Sequence, residues 1–194
     1  MAGITPSSTV GPFFLFGLVP STIGGTDLAL SNLVTPDARG ERIRIEGRVF
    51  DGDGAIVPDA VIEIWQADGA GRYDHATRQS VRSNTAFRGF GRAPTDANGR
   101  FRFDTVKPGA VTDPAGGKQA PHIVANVFAR GVLKQMVTRI YFSDEAASTS
   151  DPVLALVPEN RRATLIAQRD DAGQAVYRFD IHLQGEHETV FFEA

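Results

Sequence analysis

The sequence predicts an all-β fold, a β-sandwich of short strands with an extended N-terminal arm and one or two short helices. Three observations lead there. Apolar and polar residues alternate with period two in several short segments. Asp-, Asn- and Gly-rich turn sequences separate those segments. Residues 1–41, in contrast, keep no regular period.

Taken in chain order, the arm is broken by Pro6, Gly11-Pro12, Pro20, Gly24-Gly25 and Pro36. It is nevertheless apolar, with Phe13, Phe14, Leu15, Phe16 and Leu18. A disordered tail seldom carries so many aromatics, so the arm is expected to pack on something. From Glu41 the pattern changes. In Arg42–Phe50, Ile43, Ile45 and Val49 share one face while Arg42, Arg44, Glu46 and Arg48 share the other, as in a half-buried strand. Asp51-Gly52-Asp53-Gly54 is a turn, and Val61–Gln66 is a second, β-branched strand. Asp96-Ala97-Asn98-Gly99 is another turn, and Arg100–Val106 alternates Phe101, Phe103 and Thr105 against Arg100, Arg102 and Asp104. Further strands are expected over Pro121–Arg130, Met136–Phe142, Val176–Leu183 and Thr189–Phe192. Asp151-Pro152 has the form of an N-cap followed by proline at the first helical position, and Glu159–Gln168 follows as a second turn or short helix. One domain over 1–194 is expected, with the arm at 1–41 and the sandwich at 42–194.

Composition excludes several functions. The chain has 194 residues, 42% hydrophobic, with Lys+Arg 20 against Asp+Glu 23. It has no Lys/Arg-dense run of the kind a nucleic-acid surface needs, and no apolar stretch approaches the roughly 18 residues of a membrane span. The apolar run Phe13–Leu18 lacks the basic start and length of a signal peptide. There is no cysteine, which removes disulfides, thiolate metal sites and Cys nucleophiles, and agrees with a cytoplasmic location. No G-x-S-x-G or P-loop is present, and Gly89-Phe90-Gly91 is too little for a dinucleotide fingerprint.

The four histidines, His75, His122, His182 and His187, form no HxH or HExxH pair. His182 has the polar parity of its strand, His187 sits in the charged turn Glu186-His187-Glu188, His75 follows Tyr73, and His122 opens an apolar strand. By residue chemistry alone the chain is a β-sandwich with a packed aromatic arm.

Several segments carry more. Thr5-Pro6-Ser7-Ser8-Thr9-Val10-Gly11-Pro12-Phe13, Glu63-Ile64-Trp65-Gln66-Ala67-Asp68, Gly71-Arg72-Tyr73, Thr105-Val106-Lys107-Pro108-Gly109, Ala120-Pro121-His122-Ile123, Phe128-Ala129-Arg130-Gly131, Tyr177-Arg178-Phe179-Asp180-Ile181 and Gln184 to Phe192 occur in an order and spacing that resembles the intradiol ring-cleavage dioxygenases, in their two-chain form. The resemblance covers nearly the whole chain. It implies a pair of related β-sandwich subunits that cleave 3,4-dihydroxybenzoate with O2 to 3-carboxy-cis,cis-muconate. It also implies a non-haem Fe(III) held by two tyrosines and two histidines of the β subunit; phenolate is a hard anionic donor suited to that ion.

Carried over position by position, the resemblance places the ligands on Tyr73, Val111, His122 and Val124, and an arginine that precedes the histidine pair on Gln119. Two of the four are valines, without lone pairs, so the resemblance implies a non-iron-binding α subunit with vestigial ligand positions and its iron in a partner β subunit. It further implies that Thr9, Gly11, Pro12 and Phe13 line the partner's substrate pocket, with Arg130 near the substrate. Phe13 stands where many relatives carry tyrosine. Gly11 lets backbone approach a ligand, and a guanidinium suits a benzoate carboxylate. An end-of-strand salt bridge is the plain alternative for Arg130. Two other functions stay open: a self-sufficient dioxygenase using Tyr141 or His182, and a non-enzymatic β-sandwich binding or scaffold module.

Overall fold

A computed structural model describes residues 11, 14–73, 87–112, 116–170 and 175–193. The sandwich expected from the alternation is present. Its strands are β1 (Arg42–Phe50), β2 (Val61–Gln66), β3 (Phe90–Pro94), β4 (Arg100–Val106), β5 (Val111–Thr112), β6 (Lys118–Gln119), β7 (Ile123–Phe128), β8 (Met136–Phe142), β9 (Ile166–Asp170), β10 (Val176–Arg178) and β11 (Ile181–His182). One layer is built from β4, β1, β10, β11 and β9, the other from β8, β7, β2 and β3. The layers are joined by a short parallel seam, in which Tyr141 of β8 lies opposite Ile166 of β9 and Phe142 opposite Ala167.

Alternation decides which side chains enter the core. Ile43, Ile45 and Val49 of β1 and Phe101 and Phe103 of β4 meet Ile62 and Ile64 of β2, Ile123, Ala125 and Val127 of β7, and Ile140 and Phe142 of β8. Each large side chain removed fully from water contributes roughly 1.5–3 kcal/mol, so this one cluster carries much of the fold's driving force. Gln66 is buried among these groups, yet fully engaged: its Nε2 donates to the Ala67 and Val106 carbonyls, and its Oε1 accepts from the Thr105 hydroxyl at 2.8 Å.

The turns share one device. Asp51, Asp68 and Asp96 each accept, through Oδ1, the N–H groups two and four residues on, with a left-handed glycine (Gly54, Gly71, Gly99) three residues on. The aspartate supplies the turn's hydrogen bonds and the glycine its positive φ. At Asp68 burial opposes ionisation, but the hydrogen bonds from Arg72 and Ala70 outweigh it and hold the carboxyl below its usual range.

Strand β1 changes neighbours half-way, pairing first with β10 and then with β11, both parallel. The change occurs at Gly47, where a Cβ would stand 1.8 Å from the Phe179 carbonyl oxygen. The connecting backbone therefore crosses the strand where there is no side chain.

Several expectations need correction. The arm is not wholly irregular. Phe14–Leu18 forms a short α-helix, α1, and Pro20–Ile23 a 3-10 turn. Arg92 of β3 ties α1 to the sheet, donating through Nη1 to the Leu18 carbonyl and through Nε to Glu63, each at 2.8 Å. The segment from Glu159 is 3-10 only as far as Leu165, and Ile166 already begins β9, whose pairing overrides the local preference. Val176–Leu183 is split into β10 and β11 by the crossing at Gly47. Thr189–Phe192 keeps a single bridge, Val137 to Phe192, in place of a strand. Asp151 caps its turn as its sequence suggests, accepting the N–H groups of Val153 and Leu154 at 3.0 and 2.8 Å. Among the described residues no helix is long and apolar enough to cross a membrane.

Next to the seam lies a charged cluster with a pH signature. Asp144 accepts from Lys107 at 3.0 Å, from Arg169 at 2.7 Å and from the Tyr177 hydroxyl at 2.9 Å. Partial burial disfavours its charge, but these donors outweigh it and lower its pKa from 3.8 to about 2. The unfolded chain thus binds more protons than the folded one between these values. The stability contributed by Asp144 is complete above the unfolded pKa and is lost as pH falls through the folded one. Solvent screens the cluster, so about 1 kcal/mol is expected. Denaturant titrations of wild type and Asp144→Asn should show their difference shrinking by that amount between about pH 5 and about pH 2; a constant difference would refute it.

Candidate functional site

The carried-over ligand positions come from four separate elements, and the fold gathers them on the outer face of the second layer. Trp65 of β2, Val124 of β7 and Arg139 of β8 lie opposite one another across three strands, so their side chains share one face. Tyr73, delivered by the Asp68 turn, stacks on Trp65 with ring centroids 5.9 Å apart. Gly71 is required there: its φ is +77°, and a Cβ would stand 2.0 Å from the Ala110 carbonyl oxygen. Val111 of β5 lies opposite Gln119 of β6. His122 precedes β7 and is buried, its ring centroid 6.0 Å from that of Tyr141.

Arg139 stands at the centre of this arrangement. Its Nη1 donates to Gln119 Oε1 at 2.9 Å and lies 3.5 Å from the Tyr141 hydroxyl. Tyr141 donates in turn to Asp151 Oδ1 at 2.9 Å, while Asp151 Oδ2 accepts the Ala120 N–H at 2.8 Å. The electrostatics follow. Burial raises the pKa of Tyr73, with the Arg139 charge pulling against it. Burial lowers that of His122, and Arg139 adds to the effect, against the Ala120 carbonyl and Asp151. Burial likewise pushes Tyr141 far up, so its phenol keeps its proton.

This donor set does not fit a ferric ion. Val111 and Val124 offer no lone pair. His122 Nδ1 lies 2.7 Å from the Ala120 carbonyl, which only accepts, so that nitrogen carries a proton and is not a ligand. Two neutral donors beside a guanidinium are a poor home for a highly charged cation. Among the described residues no group of three or more His, Asp or Glu side chains is placed to hold a metal. Tyr141 is committed to Asp151. His182 is in the other layer and half-buried, stacked on Phe50 at 4.9 Å and edge-on to His187, rather than simply solvated on a polar face.

The remaining expected site residues are elsewhere. Arg130 follows the far end of β7 from Val124; four strand steps of about 3.3 Å separate Val124 from Phe128 alone. Its side chain is 58% exposed, with Nε paired to Asp59. Gly11 is exposed, nothing stands within 4 Å of where its Cβ would be, and its carbonyl accepts the Phe14 N–H. Thr9, Pro12, Phe13 and His75 lie outside the described residues. Arg139 itself was not singled out in the sequence. Its only signal is that it is the one charged residue of β8, and its neighbours become known only with the register.

A family model described as "Dioxygenase" matches residues 16–185. The chain belongs to the intradiol ring-cleaving dioxygenase family. It is 48% identical to the protocatechuate 3,4-dioxygenase alpha chain of Burkholderia cepacia, over 97% of this chain and 96% of that one. It is 36% identical to the beta chain of the same organism's enzyme, over 84% of this chain and 73% of that one. Among solved structures it is similar to the dioxygenase domain of a dioxygenase–carbohydrate-binding protein fusion from Streptomyces sp. SirexAA-E. There the TM-score is 0.61 at 26% identity, covering 81% of this chain and 88% of that one.

Proposed function

We propose that the chain is the alpha subunit of a protocatechuate 3,4-dioxygenase, paired with a homologous beta subunit that holds the single non-haem Fe(III) of each pair. One observation supports this: the carried-over positions Tyr73 and His122 keep donor side chains, while positions 111 and 124 are valine. The chain's similarity to both alpha and beta chains supports a heteromeric arrangement. The iron supplies the chemistry that activates a catechol toward O2. The contribution of this chain is to complete the partner's pocket, with residues 1–194 as one domain in which the described part of the arm packs on the sandwich through Val19 and Leu33.

In this assignment Thr9, Gly11, Pro12 and Phe13 line the partner's pocket, and Arg130 faces the substrate carboxylate. Arg130 suits that role because it lies away from this chain's own vestigial positions and is more than half exposed. Exposed apolar side chains around the arm, Phe16, Ile23, Leu28, Leu30 and Phe90, supply surface for the partner to cover. The cysteine-free composition supports a cytoplasmic location, which cell fractionation checks.

Metal analysis of the chain alone and co-produced with its partner tests the assignment. Iron is expected only in the complex, at about one per αβ pair, as for one four-ligand site. Stoichiometric iron in the lone chain would overturn it. A stable monomer that ignores the partner would favour a binding module instead.

A further inference from the structure

We propose that Arg139 is a resident cation that keeps ferric iron out of this subunit, so that loss of two ligands is only half of how the site was closed. The inference rests on the ligand positions carried over above. Each of the four is linked to Arg139 either directly or through one or two intervening residues. Val124 is its cross-strand neighbour, and Val111 lies opposite Gln119, which takes its Nη1 hydrogen bond. Tyr73 stacks on Trp65 of the same cross-strand row, and His122 packs beside Tyr141, whose hydroxyl lies 3.5 Å from Arg139. The guanidinium therefore stands among the residues that would surround a metal.

Position 119, where the resemblance expects an arginine, holds glutamine, and β8 directs a guanidinium onto that same glutamine. The guanidinium here comes instead from β8, opposite Val124, one of the two lost ligand positions. It is also held firmly. Its terminal nitrogen lies 3.5 Å from the Tyr141 hydroxyl, and Tyr141 is fixed by Asp151, which is 1% exposed. A guanidinium does not give up its charge at any ordinary pH. A metal ion would have to enter beside it, paying like-charge repulsion in a partly dehydrated place where charges interact strongly.

The test uses the full αβ complex and counts iron per pair. Restoring both lost donors, Val111→Tyr with Val124→His, is expected to leave the count at about one, because the guanidinium remains. Adding Arg139→Gln should raise it to about two, with a second tyrosinate-to-iron absorption band and affinity at the new site at least roughly 100-fold above that of the two-residue variant. Adding Arg139→Lys instead should leave the count at about one, since the charge is kept. Arg139→Met provides a second neutral side chain should the glutamine variant not fold. Two irons per pair with Arg139 or lysine in place would overturn the proposal. So would one iron per pair with either neutral variant folded. Wild-type complex carrying one iron, or lone chain carrying none, bears on the alpha-subunit assignment and is measured separately.

Discussion

Asp151→Ala is expected to destabilise the chain by about 4 kcal/mol, a large effect for one side chain. Asp151 is 1% exposed, and its two oxygens accept from four donors: the Ala120, Val153 and Leu154 N–H groups and the Tyr141 hydroxyl. Alanine would orphan all four in a place water reaches poorly, and each buried unsatisfied donor costs about 1–3 kcal/mol, with partial relaxation keeping the sum below the maximum. Asp151→Asn should cost about half as much, because one oxygen remains while an amide N–H faces another donor. Equilibrium denaturation of both variants measures this. An Asp151→Ala loss under about 1 kcal/mol would show that the network is solvated and not structural.

The second large effect is expected in catalysis. Removing residues 1–13 from this chain, within the complex, should lower kcat/KM for protocatechuate by roughly 100-fold while the partner's iron stays in place, since misplaced pocket walls forfeit alignment. Arg130→Ala should act mainly on KM, because a carboxylate-binding guanidinium contributes alike to ground and transition states. Asp59 meets Arg130 through Nε, and the two terminal nitrogens carry four further N–H donors suited to a carboxylate. The informative pair of readouts is iron content and KM. Unchanged kinetics in both variants would leave the arm and Arg130 with roles in assembly or salt bridging alone.

Strands β1, β2, β4 and β8 were legible to the residue; β1 and β4 alternate between a wetter and a buried face, which period two reports directly, and β2 is marked by its β-branched residues. The parts that were not legible depend on distant partners. β9 begins at Ile166, inside an expected helical segment, because β8 and β10 provide edges for it. The gap between β10 and β11 is set by a carbonyl meeting Gly47 from more than a hundred residues away. The same holds for the site. Tyr73, Val111, His122 and Val124 were identified through a resemblance, while Arg139 has no motif. That Arg139 lies opposite Val124 is a fact of register, and register is written in the pairing of β7 with β8 rather than in either strand.

The chain's single tryptophan, Trp65, lies in the same row as Val124 and Arg139 and stacks on Tyr73. The face that gathers the carried-over positions therefore contains the molecule's one indole fluorophore. Its emission is a label already installed beside Arg139, sensitive to charge and to any quenching ion placed near it. A shift in colour or lifetime would register repacking of that face in the intact subunit, with no dye attached and no second indole in this chain to blur the signal.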